Sequence, residues 1–210
     1  MNRDPKTLNQ SLYEQWEQIW KNGKKHNLTC VGRMMLKSKQ KTLKEVLNYI
    51  KPANAIDVGC GLGYTLSIFK EMGIESLGID TSSTAIQVCQ DKGLNAVRKR
   101  LEETEGKYDF VFSDGLLEHF LNFEPCAENL MRLSSRYVCI IQTDHDSFLG
   151  KTSIYIAELL RGSKNILEYN YRIRDFIDIF ENHGFKLIQE KKIFAGIFKL
   201  LLFKAVKLVK

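Results

Sequence analysis

Between Asp57 and Gly63 the chain reads Asp-Val-Gly-Cys-Gly-Leu-Gly, with glycines at alternate positions directly after a short apolar run. Only a residue without Cβ lets a ligand approach the backbone closely, so Gly59, Gly61 and Gly63 fit a ligand cradle; a bare strand-to-helix turn is the alternative. Asp80 lies 23 residues after Asp57, where the next apolar run ends. A carboxylate there can accept two hydrogen bonds from a ribose diol held in the first crevice of an open α/β sheet. Helix capping is the competing role, but Thr81, Ser82 and Ser83 already supply capping hydroxyls. The GxGxG spacing also differs from the GxGxxG of pyrophosphate loops. A tighter loop with no basic residue nearby suits a neutral or zwitterionic ligand tail.

A second set of titratable groups follows the later apolar runs: Asp114, His119 and the cluster Asp144-His145-Asp146. Two carboxylates beside His145 favour its protonated form, which suits a general base and equally a solvated loop. For His119, packing or loop bracing is the simpler role. The four histidines are dispersed, and the five cysteines are odd in number without CxxC spacing. Neither a structural metal nor a disulfide is expected.

The elements that must place these residues alternate in type. Short β-branched and aromatic runs at 55–58, 76–79, 95–98, 108–113, 137–143 and 185–191 read as strands of a mostly parallel sheet. Helical patterns fill 64–72, 82–91, 123–133 and 172–183, and Gly73, Gly93 and Gly184 close three of them. Ahead of the sheet, residues 41–50 form an amphipathic helix stopped at Lys51-Pro52. Earlier still, Thr7 can cap a helix whose Leu8, Leu12, Trp16, Ile19 and Trp20 make an apolar stripe. The expected organisation is a helical cap over 1–40 and one α/β domain over 41–210.

Taken in order, these segments resemble the class I methyltransferases. AIDVGCGLGYTLSIF at 55–69 is similar to their motif I, and LGIDTSSTAI at 77–86 to motif II. YDFVFSDGLLEHF at 108–120 resembles the fourth-strand motif of the ubiquinone-biosynthesis and general small-molecule group, and ENHGFKLI near 188 resembles that group's late helix and sixth strand. The resemblance covers about 41–190. It implies a Rossmann-like seven-stranded sheet with helices on both faces and an antiparallel last strand, S-adenosyl-L-methionine as cofactor and S-adenosyl-L-homocysteine as product.

The resemblance also assigns roles. Gly59, Gly61 and Gly63 pack under the cofactor with Cys60 between them, Asp57 orients the loop, and Asp80 with Thr81 meets the ribose. Ser113 and Asp114 receive the methionine ammonium. The family often shows Asp after strand three, whereas this chain reads Arg98-Lys99-Arg100-Leu101-Glu102-Glu103, with Arg100 in the aligned place. Adenine then falls to the Leu101 backbone or to Glu102, or cofactor binding is weak. Tyr13, Trp16, Trp20 and Arg33 could line a lid or reach the methionine carboxylate; simple packing is the alternative for the tryptophans.

Methyl transfer from a sulfonium is an in-line displacement that positioning alone can accelerate strongly. A hydroxyl acceptor would gain from a base, with Asp114, His119 and His145 as candidates. The chain lacks an NPPY-like tetrapeptide, which argues against the exocyclic amine of a flipped base. The reading is therefore transfer to oxygen or carbon of a small-molecule or lipid-linked acceptor. The charge of +6 and Arg98-Lys99-Arg100 motivate an RNA methyltransferase as alternative, and a non-catalytic binding scaffold is a third. No run approaches the ~20 apolar residues of a membrane span. A cytoplasmic protein is expected, with peripheral membrane contact through its basic tail as an alternative. In that tail, 197–203 reads as a buried strand in preference to a basic amphipathic helix.

Overall fold

A computed structural model describes residues 5–22, 29–147 and 168–206, with side chains from Leu12 onward. Two helices come first, α1 (Pro5–Lys21) and α2 (Cys30–Ile50). The sheet region follows as β1 (Asn54–Val58), α3 (Tyr64–Glu71), β2 (Glu75–Asp80), α4 (Ser83–Asp91), β3 (Ala96–Arg98) and β4 (Tyr108–Asp114). It continues with a 3₁₀ turn (Leu117–His119), α5 (Glu124–Leu133), β5 (Ser134–Thr143), α6 (Ile173–Asn182), β6 (Phe185–Ile193) and β7 (Phe198–Ala205).

The strands form one seven-stranded sheet in the order β3-β2-β1-β4-β5-β7-β6. Pairing is parallel from β3 to β5, and β7 runs antiparallel to both β5 and β6. Order reverses beside β1, the switch point at which open α/β sheets leave a crevice.

Alternation along the strands builds a core on each face. Phe110, Phe112, Cys139, Ile141, Leu200 and Leu202 face α2, α3 and α4. Val111, Val138, Ile140, Leu201 and Phe203 face α5 and α6. Strands buried on both sides read as continuous apolar runs, which is why Leu200-Leu201-Leu202-Phe203 is a strand. The helix considered for that stretch is ruled out by its pairing with two neighbours; residues 207–210 lie outside the described ones.

Several boundaries differ from the sequence reading. Helix α1 spans Pro5–Lys21, so Thr7, expected at its start, lies within it. Helix α2 is one continuous element from its Thr29 cap and crosses the boundary expected at residue 40. It ends as predicted: Lys51 adopts φ 45° and donates its N–H to Leu47 O at 2.8 Å, before Pro52. No described helix is long and apolar enough to cross a membrane.

Candidate cofactor and acceptor cavity

The loop after β1 owes its shape to three glycines with positive φ: 74° at Gly59, 49° at Gly61 and 75° at Gly63. The end of β2 holds it. Gly59 and Cys60 donate their N–H groups to Ile79 O at 2.9 and 3.0 Å. Asp80 Oδ2 accepts from Gly61 N at 2.9 Å, while its Oδ1 accepts from Ser82 N at 2.9 Å. Burial pushes the Asp80 carboxyl up, against the N–H groups of Ser82, Gly61 and Thr81, which pull it down. Of the roughly four lone-pair sites on its two oxygens, these three N–H groups leave one for a further donor. Ser82 caps α4 itself, its hydroxyl accepting from Ala85 N at 3.1 Å, so Asp80 is not needed as the cap.

One basic residue does approach the loop, contrary to the sequence reading. Lys92 donates to Leu62 O at 2.8 Å. That contact braces the backbone and engages the ammonium.

Above the loop lies a cavity of about 970 Å³. Asp57, Gly59, Cys60, Gly61, Asp80, Thr81, Leu101 and Asp114 all line it. Gly63 does not; its place is in the packing behind the loop, against Leu94 and Cys89. Ser113 is fully buried and donates to Val58 O at 2.9 Å, locking β4 to β1. Asp57 is 2% exposed, and its Oδ2 has no partner among the described residues. Burial, with Asp114, Cys89 and Asp80 adding, pushes its carboxyl well above the usual range. A cationic group in the cavity would relieve that arrangement.

Asp114 is paired: Lys39 of α2 reaches its Oδ1 at 2.7 Å and lies 4.0 Å from the Phe198 ring centroid. Lys39 lines the cavity, whereas Arg33 is exposed and absent from its lining. A helix-face lysine among many gave no sequence signal. Near β3, Leu101 and Glu102 line the cavity, and Arg100 turns outward over the Tyr13 ring at 5.3 Å.

Helix α1 closes the cavity. Tyr13, Trp16 and Trp20 line it, the two indoles stacked at 5.7 Å. Trp16 meets His119 edge-on at 5.2 Å, so His119 packs against the cap at the cavity wall. Glu17 fastens the helix to the start of α4, accepting from the hydroxyls of Ser82 at 2.6 Å and of Ser83 and Thr84 at 2.9 Å. Although burial raises its pKa, the hydroxyls of Ser82, Ser83 and Thr84 and the Thr84 N–H bring it to about 2.

Two other titratable groups differ from what the sequence suggested. His145 is buried, is absent from the cavity lining, and has an Nε2 without a partner among the described residues. Burial lowers its pKa and outweighs Glu168, Asp144 and Asp146, where the sequence suggested a favoured imidazolium. Glu118 was not singled out; it is buried, lines the cavity, and burial pushes its carboxyl up to about 8. Its place inside the LEH string was the available signal. Elsewhere, Glu124, Glu128 and His183 cluster on the surface near the start of α5 and the end of α6, away from the cavity.

A glycine loop at the switch point, a strand-end acid after β2, and an antiparallel β7 inserted beside β5 define the class I, S-adenosylmethionine-dependent methyltransferase fold. Residues 33–190 match a family described as "Methyltransferase domain", and the chain belongs to that family. A curated relative, ajmaline N-methyltransferase of Rauvolfia serpentina, is 30% identical over 107 residues, 45% of this chain and 37% of the plant enzyme. The chain thus matches well under half of that relative's length.

Solved structures share the fold. Magnesium protoporphyrin IX methyltransferase from Synechocystis, with bound S-adenosylhomocysteine, has a TM-score of 0.70 at 19% identity, covering 92% of this chain and 94% of that one. The 1,6-didemethyltoxoflavin-N1-methyltransferase of Burkholderia thailandensis has a TM-score of 0.74 at 13% identity, covering 99% and 92%.

The residues fit the cofactor of this class. The Asp80 carboxylate offers an acceptor for a diol hydroxyl, the Asp57 oxygen without a described partner and the Asp114–Lys39 pair suit a zwitterionic amino acid, and Leu101 supplies an apolar edge for a purine. The cofactor brings a methyl group already activated on sulfur.

Proposed function

We propose that this chain transfers a methyl group from S-adenosylmethionine to a small molecule enclosed beneath α1. One observation carries the reading: a single cavity joins the glycine loop and Asp80 to a wall of aromatic and acidic side chains. The first half suits the cofactor, and the second provides room for an acceptor beside it. Because displacement at an activated methyl depends mainly on alignment, Trp16, Trp20 and His119 contribute by excluding water and limiting the acceptor's orientations.

Relatives named for an alkaloid, a porphyrin and a toxoflavin precursor support a small molecule as acceptor. Oxygen or carbon of such a molecule, including a lipid-linked one, was the sequence expectation; the acid wall bears on that choice below. The test is incubation with methyl-labelled S-adenosylmethionine and separate small-molecule, lipid and RNA fractions. Label in the small-molecule fraction is expected. Label only in RNA, or no label despite cofactor binding, would overturn the reading in favour of RNA methylation or a binding scaffold.

A further inference from the structure

Glu118 lines the same cavity as Trp16, Phe120 and Tyr169. Glu118 is 6% exposed, and its Oε2 has no hydrogen-bond partner among the described residues. Its position is fixed from several sides. Tyr169 N donates to Glu118 O at 2.8 Å, and the Tyr171 hydroxyl ties down the next residues through Phe120 O and Leu121 O at 2.9 and 2.6 Å. Gly115, at φ 70°, keeps the space open: a Cβ there would come within 3.3 Å of Glu118 Oε1.

A carboxyl held in place, buried and short of a partner is costly unless something completes it. The charged groups facing it offer little relief. Glu168 and Asp114 repel it, and Lys39, which acts in the opposite sense, is engaged by Asp114 at 2.7 Å. A carboxylate in an aromatic-lined cavity favours a cation, because ring quadrupoles and the acid attract the same charge. A neutral alcohol would use only the hydrogen bond.

We infer that Glu118 anchors a protonated amine of the acceptor in the cavity that Trp16 and Tyr169 also line, so that the substrate is a basic amine methylated on nitrogen. This rests on the methyl-transfer reading above. An ammonium cannot attack, so its proton passes first to the Glu118 carboxylate. The freed nitrogen lone pair then forms the N–C bond while the methyl–sulfur bond breaks and its electron pair stays on sulfur. The product leaves as the methylated ammonium. Such an amine keeps a localised lone pair, unlike the exocyclic amine of a base, so no NPPY-like tetrapeptide is required.

The test is calorimetry on the whole chain, with and without S-adenosylhomocysteine, using phenethylamine and tryptamine against 2-phenylethanol and tryptophol. The amines are expected to bind about tenfold or more tightly than the matching alcohols. Glu118→Gln should abolish that preference while leaving S-adenosylhomocysteine affinity unchanged. Alcohols binding as well as amines, no binding by any probe, or a preference that survives Glu118→Gln would overturn the inference. The probe comparison on the parent chain needs no variant to fold. Failure of S-adenosylhomocysteine itself to bind would instead count against methyl transfer, and the amine arm without it is read separately.

Discussion

The Trp20 indole lies against the backbone of Gly61, so closely that a Cβ on Gly61 would sit 3.1 Å from Cζ2 and 3.3 Å from Cη2. The cap and the glycine loop therefore share a surface, and the glycine serves the lid as well as any ligand. Gly61→Ala should displace the indole and strain a φ of 49°. The expected result is a shifted tryptophan emission and cofactor affinity lowered about tenfold, read by fluorescence and calorimetry on the same samples.

Gly63 answers to packing. A Cβ there would meet Leu94 Cδ1 at 2.6 Å and Cys89 Sγ at 2.9 Å, at a φ of 75°. Gly63→Ala should cost roughly 1–3 kcal/mol of stability from overpacking and backbone strain. Urea denaturation checks it, and an unchanged midpoint would show that the loop relaxes freely.

Glu17 makes the cap sensitive to acid. With its pKa lowered from 4.5 to about 2 in the folded chain, the contribution of its hydrogen bonds is fully present above about pH 4.5. It is lost as the pH falls toward 2. Tryptophan emission followed down that range should report release of α1, and Glu17→Gln should remove that component of the titration.

Asp80 couples the loop to the ribose position. Asp80→Ala deletes the acceptor for Gly61 N and Ser82 N, both at 2.9 Å, as well as the diol site. Cofactor binding should weaken by about 2–3 kcal/mol, as expected when a charge-assisted acceptor is lost. Asp80→Asn, which keeps one acceptor oxygen, should fall between; calorimetry separates the three.

The sheet was legible because its signals are local. Gly73, Gly93 and Gly184 follow helices where expected, and the unbroken Leu200 to Phe203 run needs two apolar faces. The glycine-loop end of the cavity was legible for the same reason, since Gly59, Gly61 and Asp80 sit at strand ends that the pattern itself defines. The rest of the site depends on which residues a long fold brings together. Lys39 and Asp114 are 75 positions apart, and Glu17 reaches Ser82 across 65. His145 misled because burial, invisible in the sequence, outweighs its two neighbouring carboxylates. Glu118 was hidden for the converse reason: an ordinary glutamate in a string is made unusual only by what fails to surround it.

The most direct test of the central claim is titration of S-adenosylhomocysteine into the parent chain and into Gly61→Arg. The parent should bind one equivalent with heat released, and Gly61→Arg, whose side chain would displace Trp20 and intrude on the cavity, should show none while retaining its circular dichroism. Equal binding by both proteins would contradict a cofactor site above Gly61.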